Sequence, residues 1–313
     1  MRRASKAAAA LLLALALCAA GLAAYDRAAP SPLPWLPAAH LEARFALVEG
    51  HRLRFVRAGR GPSVVLVHGF GSSLYTWKDV IAGLAADHDV VALDLPGFGL
   101  SDRPPDLSIE DLPRAVVGLM DRLQIHSAAL VGSSMGGATA AILASRRPER
   151  ASALVLVDAA GFRLRPAEQP LFVRMAMSPL GGLLARLPGQ RLFVELALRD
   201  VLRERRLLTD ERVAEYLQAV RQPGSAAAFR SLGVSLEERY GAVRDALPGV
   251  RAPTLVVWGR DDAWIPVADA SRFTAAIAGS RLVTIAGCGH LPQEQKPREL
   301  LRVLREFLSS VGL

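Results

Sequence analysis

Cysteine is nearly absent from this 313-residue chain, being limited to Cys18 and Cys288. Cys18 falls in an N-terminal apolar run, which leaves Cys288 alone in the body, so no internal disulfide framework and no Cys-x-x-Cys metal site is available. The six histidines are dispersed and none has H-x-x-x-H spacing, so neither a metal nor any other cofactor is expected. Lysine is also scarce: three lysines stand against thirty-five arginines, a skew that reads as coding bias before function. The formal charge of +8 falls by three, to +5, without Arg2, Arg3 and Lys6. That modest basicity comes with no nucleic-acid motif, so no nucleic-acid partner is expected. Charged residues make up only 22% and apolar ones 51%, which excludes a disordered chain and supports one globular domain with a sizeable core.

What the chain does have is a setting for a nucleophile. Ser134 is the centre of Gly132-Ser133-Ser134-Met135-Gly136, after the apolar run Ala128-Ala129-Leu130-Val131 and before the small-residue stretch Gly137-Ala138-Thr139-Ala140-Ala141. This pattern predicts a strand, a sharp turn and a helix. Such an elbow exposes the serine hydroxyl and aims the helix's N-terminal amides at an anion forming beside it. Alone the string is weak, because a chain with 26 glycines makes G-x-S-x-G by chance.

Other segments give it weight. Thr254-Leu255-Val256-Val257-Trp258 runs into Gly259-Arg260-Asp261-Asp262-Ala263-Trp264-Ile265-Pro266, a strand delivering carboxylates to a loop. Arg281-Leu282-Val283-Thr284-Ile285 leads to Gly287-Cys288-Gly289-His290. Serine, acid and histidine thus follow one another, each just past a strand, and a parallel sheet gathers such loops at one crevice. Earlier, Val64-Val65-Leu66-Val67 enters His68-Gly69-Phe70-Gly71, a turn that bares backbone N–H groups. An oxyanion hole needs two donors, here the amides of Met135 and Phe70. His68 reads as part of that loop's frame and Cys288 as a small packed side chain.

Together these segments, with Asp94-Leu95-Pro96-Gly97-Phe98-Gly99-Leu100-Ser101 and with Pro292, Glu294 and Pro297 after His290, resemble the α/β-hydrolase superfamily over about residues 43–310. The resemblance implies a mostly parallel eight-stranded sheet flanked by helices, with an inserted helical cap. It implies a triad of Ser134, His290 and an acid four residues before Pro266, which is Asp262, with adjacent Asp261 as the alternative. Serine at the elbow sets the chain apart from members with aspartate there, the haloalkane dehalogenases and epoxide hydrolases. The form Ser-Met-Gly-Gly is similar to membrane-associated monoacylglycerol lipases and to carbon–carbon bond hydrolases of ring-cleavage products.

The residue pattern agrees with that fold. Strands are predicted near 43–48, 52–57, 64–68, 90–94, 128–132, 153–158, 254–258 and 281–285, the first two paired antiparallel through Glu49-Gly50. From about 162 to 240 the alternation gives way to helical patterns, too long for a plain loop. Leu171-Phe172-Val173-Arg174-Met175-Ala176-Met177 and residues 180–187 offer apolar faces that dock this cap or line an acyl pocket.

Residues 1–24 place Arg2, Arg3 and Lys6 before an uncharged run from Ala7 to Ala24. This pattern predicts a signal peptide or an N-terminal membrane anchor, with the body of the chain periplasmic, membrane-anchored outside the cytoplasm, or secreted. Residues 25–41, with Pro30, Pro32, Pro34 and Pro37, read as a linker before a domain over 42–313. The functional expectation is a serine hydrolase of carboxylic esters, lipid or acylglycerol esters included, working at or near a membrane. The alternatives are a carbon–carbon bond hydrolase with the same triad and a non-catalytic binding protein of this fold.

Overall fold

The structure is a computed structural model; it describes residues 2–29, 42–163, 188–234 and 236–313. The predicted prolines of the linker and the apolar segments at 171–177 and 180–187 lie outside the described residues.

Eight strands form one sheet: β1 (Arg44–Val48), β2 (His51–Ala58), β3 (Ser63–Val67), β4 (Asp89–Leu93), β5 (Ala128–Ser133), β6 (Ala151–Val157), β7 (Thr254–Gly259) and β8 (Arg281–Ile285). Their spatial order is β1-β2-β4-β3-β5-β6-β7-β8. The first two strands and the β2–β4 pair are antiparallel, and every later pairing is parallel. This is the expected α/β-hydrolase architecture. Val48 pairs with His51, which leaves Glu49 and Gly50 as a two-residue turn. Both have positive φ, 48° and 84°, as a hairpin twisted with its strands requires.

The central strands are apolar throughout because helices cover both faces. Alternate residues therefore enter different cores: Val65, Val67 and Leu130 face one side, Val64, Leu66 and Val131 the other. The helices α2 (Lys78–Leu84), α3 (Asp111–Arg122) and α4 (Met135–Arg146) lie among the first six strands, and α9 (Ala268–Ala276), α10 (Pro292–Gln295) and α11 (Pro297–Ser310) among and after the last two. α11 shows why such helices form. Its buried Leu300, Val303, Leu304, Phe307 and Leu308 fall at helical spacing on one face.

Between β6 and β7 the described part of the helical insertion comprises α5 (Gln190–Leu202), α6 (Asp210–Arg221), α7 (Ser225–Val234) and α8 (Leu236–Ala246). Thr209 caps α6, its hydroxyl accepting from Arg212 N, so the helix begins where the sequence supplies a capping oxygen.

The N-terminal segment corrects an expectation. The apolar run lies in α1 (Arg2–Arg27), yet among the described residues no helix is long and apolar enough to cross a membrane. The membrane anchor and the membrane partner are overturned by this finding. The signal peptide expected of the same segment is corrected with them. The C-terminal end of α1 packs on α5. Asp26 accepts from the backbone N–H of Gly189 at 2.6 Å and of Arg191 at 2.8 Å, capping α5, and the Tyr25 hydroxyl donates to Glu195 at 2.8 Å.

Candidate active site

Ser134 leaves β5 with φ 54° and ψ −118°, a strained backbone for a non-glycine residue. The fold over-determines it. Ser134 N donates to Val157 O at 3.0 Å, and Ser134 O accepts from Gly137 N at 3.0 Å and Ala160 N at 2.9 Å. The two elbow glycines are needed for space, because a Cβ on Gly132 would sit 2.2 Å from Gly136 O and one on Gly136 2.2 Å from Val67 O. Ser134 makes no side-chain cap bond to α4 and is half-buried between fully buried neighbours, so its hydroxyl is presented to the cavity.

The loop after β3 abuts this serine. A Cβ on Gly69 would lie 3.0 Å from Ser134 Cβ and 3.6 Å from its Oγ, so glycine is what lets the loop backbone reach the nucleophile. His68 holds that loop. Its Nδ1 donates to Gly69 O at 2.7 Å while Nε2 accepts from Leu95 N at 3.0 Å, an arrangement that fixes a neutral tautomer, and burial holds its pKa below the usual imidazole value. Phe70 packs edge-on to Phe98 and against Phe229 of α7, while Met135 is buried as the first residue of α4.

Past β7, Asp262 Oδ1 accepts from Trp264 N at 2.7 Å and Ile265 N at 3.0 Å, and Oδ2 from His290 Nδ1 at 2.7 Å. Both side chains are withdrawn from solvent. Asp261 is exposed and forms its backbone bond to Cys288 O, so the structure brings Asp262, not its neighbour, to the histidine. Cys288 is buried, with burial pushing its thiol pKa up, which suits packing and not reactivity. Asp94, in the loop after β4, accepts from Leu74 N and Leu100 N and thereby folds that loop.

Ser134, Phe70 and His290 line one cavity. Its wall is apolar: Phe193, Val194, Leu198 and Val201 come from α5, and Phe229 and Leu291 close other sides. Among the described lining residues no lysine, arginine, aspartate or glutamate occurs.

Two residues escaped the sequence reading. Trp264 stacks on His290 with ring centroids 5.4 Å apart, its indole N–H donating to Asp200 at 2.8 Å. Asp158, just past β6, lies beside Asp262. Asp158, Asp262 and His290 place one ligand-type atom each within 4.8 Å of one another. Within this cluster Asp262 accepts from three N–H groups.

A family model described as the alpha/beta hydrolase fold matches residues 62–297. The chain belongs to the α/β-hydrolase family. It is a hydrolase of that fold and is 31% identical to a 2-hydroxy-6-oxo-6-phenylhexa-2,4-dienoate hydrolase of Comamonas testosteroni, over 82% of this chain and 91% of the relative. Among solved structures it resembles a meta-cleavage product hydrolase from Pseudomonas fluorescens IP01, with TM-score 0.74 and 27% identity over 86% of this chain and 98% of the other. It also resembles a bacterial membrane phospholipase A, with TM-score 0.72 and 25% identity over 99% of both chains. Relatives named for ring-cleavage products recur, so similarity leans toward carbon–carbon bond hydrolases more than toward lipid esterases. These matches do not carry the narrower likeness to monoacylglycerol lipases.

Proposed function

We propose that the protein hydrolyses carboxylic esters of hydrophobic acids, with Ser134 as nucleophile, His290 as base, Asp262 as the group that orients it, and the N–H groups of Phe70 and Met135 as oxyanion donors. The observation that carries the choice of substrate is the apolar cavity over Ser134, whose described lining holds no charged side chain besides His290 when protonated. Such a wall selects an apolar acyl group and penalises a charged one.

His290 Nε2 takes the Ser134 proton as Oγ bonds to the carbonyl carbon, and the oxyanion is held by the two backbone donors. The tetrahedral intermediate collapses, breaking the bond to the alcohol oxygen, which leaves with the proton from His290. Water, deprotonated by His290, attacks the acyl-enzyme and releases the acid and Ser134. Asp262 keeps Nδ1 protonated and stabilises the transient imidazolium.

The second reading, carbon–carbon bond hydrolysis of a ring-cleavage product, is favoured by the relatives named above. It needs the same nucleophile, but a dienoate brings a carboxylate that must be paired on burial. The described cavity wall supplies no cation for it.

Fluorophosphonate labelling of wild type, absent in Ser134→Ala, tests the nucleophile. Without labelling, the non-catalytic reading stands. A p-nitrophenyl ester series run beside a ring-fission dienoate tests the bond type. Higher kcat/KM on the dienoate overturns the ester reading in favour of the second.

A further inference from the structure

Asp158 is the first residue after β6, and its side chain is completely buried. The register makes its position specific: Ser133 pairs with Val157 and Val157 with Val257, so Asp158 lies at the same sheet edge as Ser134 and the loop bearing Asp262. Its backbone has φ 44°, in the left-handed region where aspartate is among the few residues tolerated. The segment is held from several sides, with Asp158 N donating to Val257 O and Ala160 N to Ser134 O.

The two carboxyl groups differ in what they are given. Asp262 accepts from Trp264 N, Ile265 N and His290 Nδ1. Asp158 Oδ1 accepts from Gly259 N at 2.8 Å, and its buried Oδ2 meets no N–H or hydroxyl donor among the described residues. The neighbouring carboxyl is that of Asp262, with one oxygen of each within 4.8 Å of the other. Two carboxyls so close in a buried site cannot both be ionised, and the charge settles where donors are most numerous. Burial and the neighbouring Asp262 charge accordingly push the Asp158 pKa well above the carboxylate range.

We propose that Asp158 is a positioning residue: it carries the proton shared by the pair, donates its O–H to Asp262, and holds that carboxylate against His290. It touches no substrate and keeps its proton through the cycle, so one negative charge, not two, faces the transient imidazolium. The effect on turnover rests on the triad reading above; the protonation does not.

The isotope-edited infrared difference between wild type and Asp158→Asn at neutral pH reads the proton directly. A protonated carboxyl C=O stretch present in wild type and lost in the variant is expected; its absence in wild type overturns the proposal. Turnover of a medium-chain p-nitrophenyl ester gives the second readout. Asp158→Asn keeps an acceptor for Gly259 N and an N–H donor for Asp262, so kcat should stay within about threefold, whereas Asp158→Ala should lower it about 10- to 100-fold with KM little changed. Equal losses in kcat for both variants overturn the positioning role. If Asp158→Ala does not fold, the infrared comparison and the asparagine variant still decide. Failure of wild type to turn over any ester counts against the proposed function and leaves the infrared result standing.

Discussion

Arg212 of α6 and Glu294 of α10 form an ion pair, Nε to Oε2 at 2.7 Å, with 6% and 0% of their side chains exposed. Glu294 also accepts from the hydroxyls of Thr76 and Tyr216, so one carboxylate ties the helical insertion to the segment that follows His290. Removing one partner of such a pair strands a buried charge. Arg212→Met should therefore cost about 3–5 kcal/mol in denaturant unfolding, and Arg212→Met combined with Glu294→Leu should recover much of that loss. A double variant no more stable than the single one would show that the charge is solvated by other means.

The elbow glycines separate steric from conformational cost. Gly136 has ordinary helical φ, yet a Cβ there meets Val67 O at 2.2 Å and His68 O at 2.5 Å, neither of which moves without distorting β3. Gly136→Ala should lose about 3 kcal/mol or more. Gly241 in α8 is the control, with nothing within 4 Å of its added Cβ, and Gly241→Ala should gain up to about 1 kcal/mol. Thermal melts of the two variants should move in opposite directions.

Much of this site is written locally. The strand-turn-helix pattern around Ser134, the glycine next to it in space at Gly69, and the loop ending in His290 each carry their signal within a few residues. Choosing Asp262 over Asp261 needed the family pattern, and the structure explains the choice, because Asp262 caps the turn through Trp264 N and Ile265 N while Asp261 faces solvent. Asp158 has no local mark. Its meaning arises from pairing Val157 with Ser133, a register the sequence does not print. The Arg212–Glu294 contact spans 82 positions and is equally silent. At α1, Tyr25 and Asp26 fasten the helix end to α5 through partners more than 160 positions away, which no local pattern marks.

Glu215 of α6 makes stability depend on pH. The residue is buried, and desolvation, opposed by Arg54 and assisted by Glu211 and Asp94, raises its pKa from 4.5 to about 7. The folded state thus holds a proton that the unfolded chain has released between these values. Unfolding is then accompanied by proton loss, so stability falls as pH rises from about 4.5 to about 7 and levels off above. At 1.36 kcal/mol per unit the loss is at most about 3 kcal/mol. Urea unfolding of wild type and Glu215→Gln at pH 5 and pH 8 checks this, with the gap in the variant's favour widening at pH 8. A constant gap would mean that Glu215 is ionised throughout.

The cavity wall on α5 should set acyl length. Ala197 lines the cavity with Phe193, Leu198 and Val201, and it is the smallest of the four, so Ala197→Phe extends a ring into space that an acyl chain would fill. Each methylene kept out of that apolar space forfeits about 0.8 kcal/mol. Excluding three methylenes should therefore lower kcat/KM by roughly fiftyfold for a long ester, while the acetate ester, which does not reach the wall, stays within about threefold. The measurement is kcat/KM for p-nitrophenyl esters from acetate to dodecanoate in both proteins. An unchanged length profile would place the acyl chain elsewhere and leave α5 as packing for the domain, because a residue in the path of the chain cannot gain a ring without shortening what fits beside it.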